Sequence, residues 1–401
     1  MKIVGIVAEY NPFHNGHLYH LEEARARTGA SHVITVLSGN FVQRGEPAIV
    51  GKNVRTLMAL KAGADMVVEL PHLYALSSAG YFAGGAVSLL ERMGVVDCIA
   101  FGAEADAEDL ESVAKVLRRE PQDFKSALRS NLSRGLSYPD ARARALSACH
   151  GGSEILNGPN NILGVEYINS IARIGSKMSV TVIKRTVPHI GGRMGRFASA
   201  SEIRKILLGG RFEEAASYMP DFAADILKGA GALHRLGNLG DALHYRIRTQ
   251  TPDELRKIAE ISEGLENRIV EFSRQFASLE DIISQVKTKR YTLSKIRRIF
   301  LNIILNVRKE TFAQAQERGP TYVRVLGFRK ESQALMAQIK ANSKIPLITN
   351  VKHAEHLGAY ARQMLESELR VTDIYALSAD KQGQTRLDGR AAEYKTPIVG
   401  R

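Results

Sequence analysis

Residues 2–21 read KIVGIVAEYNPFHNGHLYHL, and this stretch sets the fold class. The short apolar run in KIVGIVAEY reads as a strand buried on both faces, and HLYHLEEARART behind it as an amphipathic helix. The junction carries His14, His17 and His20, Asn11 and Asn15, and Gly16. A purely structural turn would use Ser or Asp caps and ordinary turn residues. Imidazoles and amides at the end of a strand predict a segment built to hold a ligand.

The alternation continues outward. HVITVLSG (32–39), DMVVELP (65–71), DCIAFGAE (97–104) and KMSVTVIKR (177–185) read as four further strands. NVRTLMALKAG and YFAGGAVSLLERMG read as helices, the second with Phe82, Ala86, Leu89, Leu90 and Met93 on one face; a longer helical insertion precedes the fifth strand. Short apolar strands between helices predict an α/β fold with a parallel sheet covered on both faces. Ligands of such sheets sit beyond the carboxyl ends of the strands. That edge would carry Glu9 and Tyr10, Ser38 to Asn40, Gly102 to Glu104, and Lys184 with Arg185.

From about residue 216 the pattern turns mostly helical, in DFAADILKGAGALHRL, DELRKIAEI, LENRIVEFSRQF and TLSKIRRIFLNIILNV. Strand-like YVRVLGF and IPLIT flank a helix at SQALMAQIKA. At 401 residues the chain exceeds the usual size of one core, so two domains are expected, 1–215 and 216–401. No apolar stretch has the length of a membrane span and no cleavable leader is legible, so neither membrane anchoring nor export is expected. Cys98 and Cys149 stand apart with no CxxC, which fits a reducing cytoplasm and leaves no basis for a structural zinc or a disulfide framework.

The net charge is +13, and it is uneven. Residues 1–215 hold 25 Lys/Arg against 21 Asp/Glu, residues 216–401 hold 30 against 21, and residues 281–330 alone hold 12 against 3. A positive field this concentrated points to a polyanion, with RNA the obvious candidate and a merely solvated basic face the alternative. Lys287, Lys289, Arg290, Lys295, Arg297 and Arg298 are the candidate RNA contacts. In TLSKIRRIF, Ile296, Ile299, Phe300 and Ile303 form the expected buried stripe, which would leave Lys295, Arg298 and Arg297 facing outward. Tyr291 is open between stacking on a base and packing.

His14-Asn15-Gly16-His17 has the form HxGH where a strand hands over to a helix. A helix N-terminus offers unpaired N–H groups and positive potential, which suits phosphate. Gly16 lets the backbone approach closely. His14 and His17 can aim at one phosphate group and, as donors, stabilise charge developing on an α-phosphate while pyrophosphate is displaced. A second candidate, Phe197-Ala198-Ser199-Ala200-Ser201-Glu202-Ile203-Arg204, opens a helix after strand five. Ser199 or Ser201 can cap it, and Arg204 can reach phosphate oxygens. Paired with HxGH it resembles the ISSTxIR signature of the nucleotidyltransferase superfamily, with Ala198 and Ala200 departing from that pattern.

GIVAEYNPFHNGH, LSGNFVQRGEPA, FGAE, GPNNILGVEYI and the IKR end of strand five resemble, in order, the tRNA(Met) cytidine acetate ligase family. The resemblance implies a Rossmann-like nucleotidyltransferase domain followed by a mostly α-helical, basic, tRNA-binding domain. It implies that acetate attacks the α-phosphate of ATP, and that the acetyl group passes to N4 of the wobble cytidine of elongator tRNA(Met). It implies His14 and His17 as catalytic residues. ATP would be held by Val7, Ala8, Glu9, Tyr10, Asn11, Pro12, Phe13, His14, Asn15, Gly16, His17, Leu18, Tyr19 and His20, completed by Gly102, Asn160 and Arg185. Ser199, Ser201 and Arg204 join that set from the second segment. Magnesium is expected to travel with ATP, no dedicated metal site is expected, and no covalent nucleophile is needed.

Other polar residues stay open. Asn40, Gln43 and Arg44 read at least as readily as ligand contacts as a polar loop; Glu104 could orient a ribose but reads more readily as an exposed loop carboxylate; His72 and His189 read as structural. Two further function classes remain: a small-molecule adenylyltransferase, which leaves the basic half without a task, and an RNA-binding protein that holds ATP without chemistry, which has no need of two motif histidines.

Overall fold

The computed structural model describes residues 1–185, 193–380, 389, 393–394 and 397–400, with backbone alone for Arg193 and His353. His189 lies outside the described residues. Strands β1 (Ile3–Ala8), β2 (His32–Ser38), β5 (Met66–Leu70), β6 (Cys98–Ala103) and β7 (Ser179–Lys184) are the five that the apolar runs predict. They pair in the order β5-β2-β1-β6-β7, all parallel. The first strand is therefore central, and the strand order reverses between β1 and β6. That crevice is where doubly wound sheets bind ligands.

The helix Ala79–Met93 buries Phe82, Ala86, Leu89, Leu90 and Met93 as its periodicity predicts. It packs so close to β1 that a Cβ on Gly5 would lie 2.8 Å from Leu90 Cδ1. Two tight hairpins carry no alternating pattern of their own: β3 (Phe41–Val42) with β4 (Glu46–Pro47), and β8 (Arg193–Met194) with β9 (Phe197–Ala198).

The second half departs from expectation in two ways. The helix predicted over 221–236 ends at Lys228, where Gly229 and Gly231 interrupt it. More consequentially, the chain returns to the sheet. β10 (Val323–Arg329) pairs antiparallel with β5 and carries β11 (Leu347–Ile348) and β12 (Ile398–Gly400) beside it. The division expected at residues 215/216 is corrected accordingly. Ala215, Met219, Ala223 and Leu227 belong to the core under the sheet, and a second core, drawn mostly from helices between Leu239 and Ile304, also takes in Phe41, Leu76, Val371 and Tyr375. The physical reason is edge cover: β5 would otherwise present an unpaired apolar strand to water.

A buried ionic cluster fastens this return. Lys52 Nζ lies 2.5 Å from Glu69 Oε1 and 2.8 Å from Glu393 Oε1, and Arg324 reaches Glu69 Oε2 at 3.0 Å while also bonding Glu393. His72 donates its backbone N–H to Glu368 and pairs with it through Nδ1 at 2.5 Å, so this histidine is structural. Among the described residues, no helix is long and apolar enough to cross a membrane.

Removing one partner of a buried ion pair strands the remaining charge, which costs about 3–5 kcal/mol, whereas exposed pairs contribute about 0–1 kcal/mol. Glu69→Gln should therefore lower the urea unfolding free energy by about 3 kcal/mol. Lys344→Ala, which breaks the exposed pair with Glu91, should change it by less than about 1 kcal/mol. Equal unfolding midpoints for the two variants would contradict the role given to the cluster.

Candidate active site

The helix Asn15–Thr28 starts directly beyond β1 with His14 as its N-cap. Gly16 N–H donates to His14 Nδ1 at 3.1 Å, and His14 N–H donates to His17 Nδ1 at 3.3 Å, a reciprocal capping box made of two imidazoles. Asn15 N–H donates to Tyr218 O, and His17 N–H to His14 O. The unpaired N–H groups expected to cradle phosphate are thus already occupied. What the turn presents instead is imidazole. With both Nδ1 atoms accepting, each neutral ring carries its proton on Nε2. The rings stack at 3.7 Å between centroids.

Burial, with Arg185 and Arg204 nearby, pulls His14 down to about 3; burial, with His14 and Arg185, holds His17 well below the ordinary range. Two neutral Nε2–H donors in a stacked pair can meet a developing oxyanion without first losing a proton. His20, the third imidazole of the opening stretch, comes up against the end of β6. Its ring lies 3.8 Å from the position of a Cβ on Gly102, and burial beside Arg185 pulls it down to about 4.

The structure sorts the rest of the expected loop. Tyr10 and Phe13 are core residues packed edge-on to each other at 4.8 Å. Asn11 spends its side-chain oxygen on Ile49 N–H at 2.7 Å, Asn15 its amide on Arg196 O at 2.8 Å, and Tyr19 points to solvent. Leu18 packs on the core. Val7, Ala8, Glu9, Gly16 and His17 are half-buried along the mouth, and Pro12 is buried after a cis peptide.

The second segment does come to the first. Ser199 caps the helix Ala200–Leu208, accepting from Glu202 N–H at 3.3 Å, and Ser201 Oγ lies 3.1 Å from Ser199 Oγ. Arg204 donates to Asn11 O at 2.8 Å. Two helix N-termini, one capped by histidines and one by serine, therefore share a mouth with Arg204 between them.

On the opposite side, Gly102 is the penultimate residue of β6. Glu104 is half-buried rather than an exposed loop carboxylate: its Oε1 accepts from Asn160 Nδ2 at 2.6 Å and faces Arg185 Nε at 3.7 Å. Asn161, which the sequence did not single out, holds the loop by accepting from Glu104 N–H at 2.8 Å and Ala105 N–H at 3.0 Å. Three buried polar atoms here lack partners, His20 Nε2, Arg185 Nε and Glu104 Oε2. Orphaned polar atoms are uncommon in native structures, and these three, two beside Gly102 and Glu104 Oε2 beside Gly158, mark a polar ligand edge.

The β3–β4 hairpin closes the rim, with different residues from those expected. Asn40 is buried and committed to Thr372 Oγ1, Lys52 N–H and Ala48 N–H, so it is not a ligand contact. Gln43 N–H donates to Glu9 Oε1 at 2.9 Å. Gly45, at φ 76, lets the turn press on the helix Leu293–Leu305; a Cβ there would lie 2.6 Å from Arg297 Cβ and from Arg298 N. Glu46 bonds Arg297 and lies 3.4 Å from Arg204, one carboxylate between two arginines.

Two expected RNA contacts are corrected by this. Arg298 is buried and paired with Glu260 at 2.9 Å and 3.0 Å, and Arg297 is half-buried against the hairpin, where it pairs with Glu46. The apolar stripe is as expected, but the helix is covered on a second side. Lys287, Lys289 and Arg290 are exposed, Arg290 pairing with Glu263 at 2.9 Å. Lys295 lies over the Tyr291 ring at 4.8 Å, and Tyr291, nine-tenths buried and bonded to Glu263, is a packing residue.

Comparison with known proteins gives consistent matches. The family model described as HIGH Nucleotidyl Transferase matches residues 1–389. The tRNA(Met) cytidine acetate ligase of Thermoanaerobacter sp. (strain X514) is 42% identical, over 97% of this chain and 98% of that protein. That of Acetivibrio thermocellus is 40% identical, over 94% and 95%. Among solved structures, Thermotoga maritima TmcAL bound with alpha-thio ATP superposes with a TM-score of 0.91 at 36% identity, covering 100% of this chain and 99% of that one.

The neutral histidines carry a pH signature. Unfolded imidazoles take up protons below the ordinary value of 6.5, while the folded His14 and His20 resist until about 3 and about 4. Stability from this source is complete above pH 6.5 and drains away as the pH falls toward 4. The melting temperature should drop across that window, and a His14→Asn/His17→Asn variant should show a shallower drop, measured by calorimetry in matched buffers.

Proposed function

This chain belongs to the HIGH nucleotidyltransferase family and, within it, to the tRNA(Met) cytidine acetate ligases; on that premise we propose that it is an ATP-dependent ligase that activates acetate and passes the acetyl group to tRNA. The observation that carries this is the shared mouth of the two capped helices. His14 and His17 present neutral Nε2–H donors there, and Arg204 joins the segments through Asn11 O. A triphosphate lies along that mouth, and the nucleoside enters the polar edge formed by His20, Asn160, Arg185 and Glu104 around Gly102. The solved relative's bound alpha-thio ATP supports a nucleotide in this fold.

In the first step an acetate oxygen bonds to the α-phosphorus as the bond to the β-phosphate oxygen breaks and pyrophosphate leaves. The imidazole Nε2–H groups and Arg204 hold the charge that builds on the α-phosphate oxygens. Positioning and charge stabilisation suffice, because the attacking carboxylate is already a nucleophile. In the second step N4 of the wobble cytidine of elongator tRNA(Met) attacks the acetyl carbon, AMP leaves, and N4 loses a proton. Magnesium enters as part of the MgATP substrate; among the described residues no group of three or more His, Cys, Asp or Glu could hold a metal ion. The reading places the protein in the cytoplasm, where its substrates are.

The RNA side follows from the rim. Arg297, in the second turn of the helix Leu293–Leu305, touches the hairpin at Glu46. The basic loop that leads into this helix, with Lys287, Lys289 and Arg290, and Lys295 in its first turn, is therefore next to the nucleotide mouth. We assign these four to phosphate contacts that position the anticodon loop. Arg297 and Arg298 instead brace the mouth.

With ATP and labelled acetate, the protein should release pyrophosphate and form acetyl-AMP without RNA, and transfer label to tRNA(Met) when RNA is added. Neither product would end the ligase reading; adenylylation of a different acceptor would favour a small-molecule adenylyltransferase. Lys287→Glu/Lys289→Glu should weaken tRNA binding and reduce the slope of log affinity against log salt by about 1–2. An unchanged slope would remove the loop from the RNA surface.

A further inference from the structure

The helix Lys52–Lys61 carries an arginine on its buried face, in line with Met58 and Ala59. Arg55 is fully buried. Its Nε donates to Val50 O at 3.0 Å, its Nη1 to Glu9 O at 2.8 Å and Ser38 O at 2.9 Å, and its Nη2 to Gly39 O. Among the described residues its hydrogen-bond acceptors are all main-chain carbonyls. Buried charges are ordinarily paired with an opposite charge, because neutral acceptors alone leave most of the desolvation cost standing. Burial pulls this guanidinium down to about 10, which leaves it charged at neutral pH.

Three of the four carbonyls it holds, those of Glu9, Ser38 and Gly39, are at the carboxyl ends of β1 and β2, on the edge where the site opens. Glu9 O immediately precedes Tyr10, which sits at φ 47, and Asn11 O is taken by Arg204. Arg55 therefore lies where the ends of β1 and β2 meet, bonded to the residue from which the turn toward the two histidines sets out. A fixed cation beside a site, screened by protein rather than by water, acts on an anion docked there.

We propose that Arg55 is a positioning residue of the nucleotide site, whose carbonyl bonds tie the end of β1 to the end of β2 and to Val50, and whose charge, hydrogen-bonded to no carboxylate among the described residues and only partly offset by Glu9 and Glu69, is complemented by the phosphates of the bound nucleotide. The inference rests on the nucleotide site described above, not on the acetyl acceptor. It predicts a charge-graded effect. A bracing role alone would weaken every ligand of the site equally, whereas a field scales with the ligand's charge.

The test is calorimetric binding of adenosine, AMP and ATP, without acetate, to the full chain and to Arg55→Met and Arg55→Lys, with melting temperatures recorded. Arg55→Met should lose about tenfold in ATP affinity, less in AMP affinity, and under about twofold for adenosine. Arg55→Lys should recover the ATP-to-adenosine ratio to within about threefold of wild type even where its melting temperature stays low. Equal losses for all three ligands, or none, overturn the proposal. Should Arg55→Met fail to fold, Arg55→Lys decides: a retained ratio supports the field, and a tenfold fall in the ratio overturns it. Wild-type protein that binds ATP but forms no acetyl-AMP would defeat the ligase reading while leaving this one intact.

Discussion

A parallel sheet whose strands end together leaves a row of backbone carbonyls with no strand to pair them, and buried carbonyls must find donors. Much of this protein's site is an answer to that constraint. Arg55 gathers the carbonyls of Glu9, Ser38 and Gly39 from two strand ends, Arg204 takes that of Asn11, and Arg185 closes β6 by bonding Ala103 O through its main chain. Arg55 and Arg204 thereby bring two guanidinium groups to the sheet edge, where the phosphate site is proposed. Structural necessity and ligand electrostatics are served by the same side chains.

The histidine turn shows the same economy. An N-cap ordinarily uses a small oxygen-bearing side chain. Here two imidazole Nδ1 atoms do that work, and in doing so they fix which nitrogen faces the ligand. A serine cap would hold the helix as well, but its accepting and donating functions sit on one short hydroxyl, whereas each imidazole caps with one nitrogen and donates with the other. The opposing helix, capped by Ser199, keeps the ordinary arrangement and contributes Arg204 instead.

How far the sequence disclosed all this depended on range. The five parallel strands and the helix Ala79–Met93 were legible because local periodicity reports burial. HxGH and the Ser199 segment were legible because helix-start chemistry is local too. That β10 would close the sheet was not, since YVRVLGF carries no mark of which edge it pairs with. Arg298 shows the limit most clearly. Periodicity placed Ile296, Ile299, Phe300 and Ile303 inward, correctly, but could not disclose a second neighbour, the hairpin, covering the arginine side. Arg55 left a trace that was readable in principle, a charge on an otherwise apolar helix stripe. Asn161 and Glu46 left none, because their partners lie more than fifty residues away.

The ionic cluster has a consequence for how the chain is made. Glu69 is placed on β5 early in synthesis, yet one of its two cationic partners is Arg324, and the cluster is completed by Glu393. Until those residues leave the ribosome, the first five strands exist with an open edge and a carboxylate short of partners at its rim. The sheet can collapse beforehand but cannot be sealed. Folding of the N-terminal half is in this sense provisional, and the C-terminal strands act as its closing step.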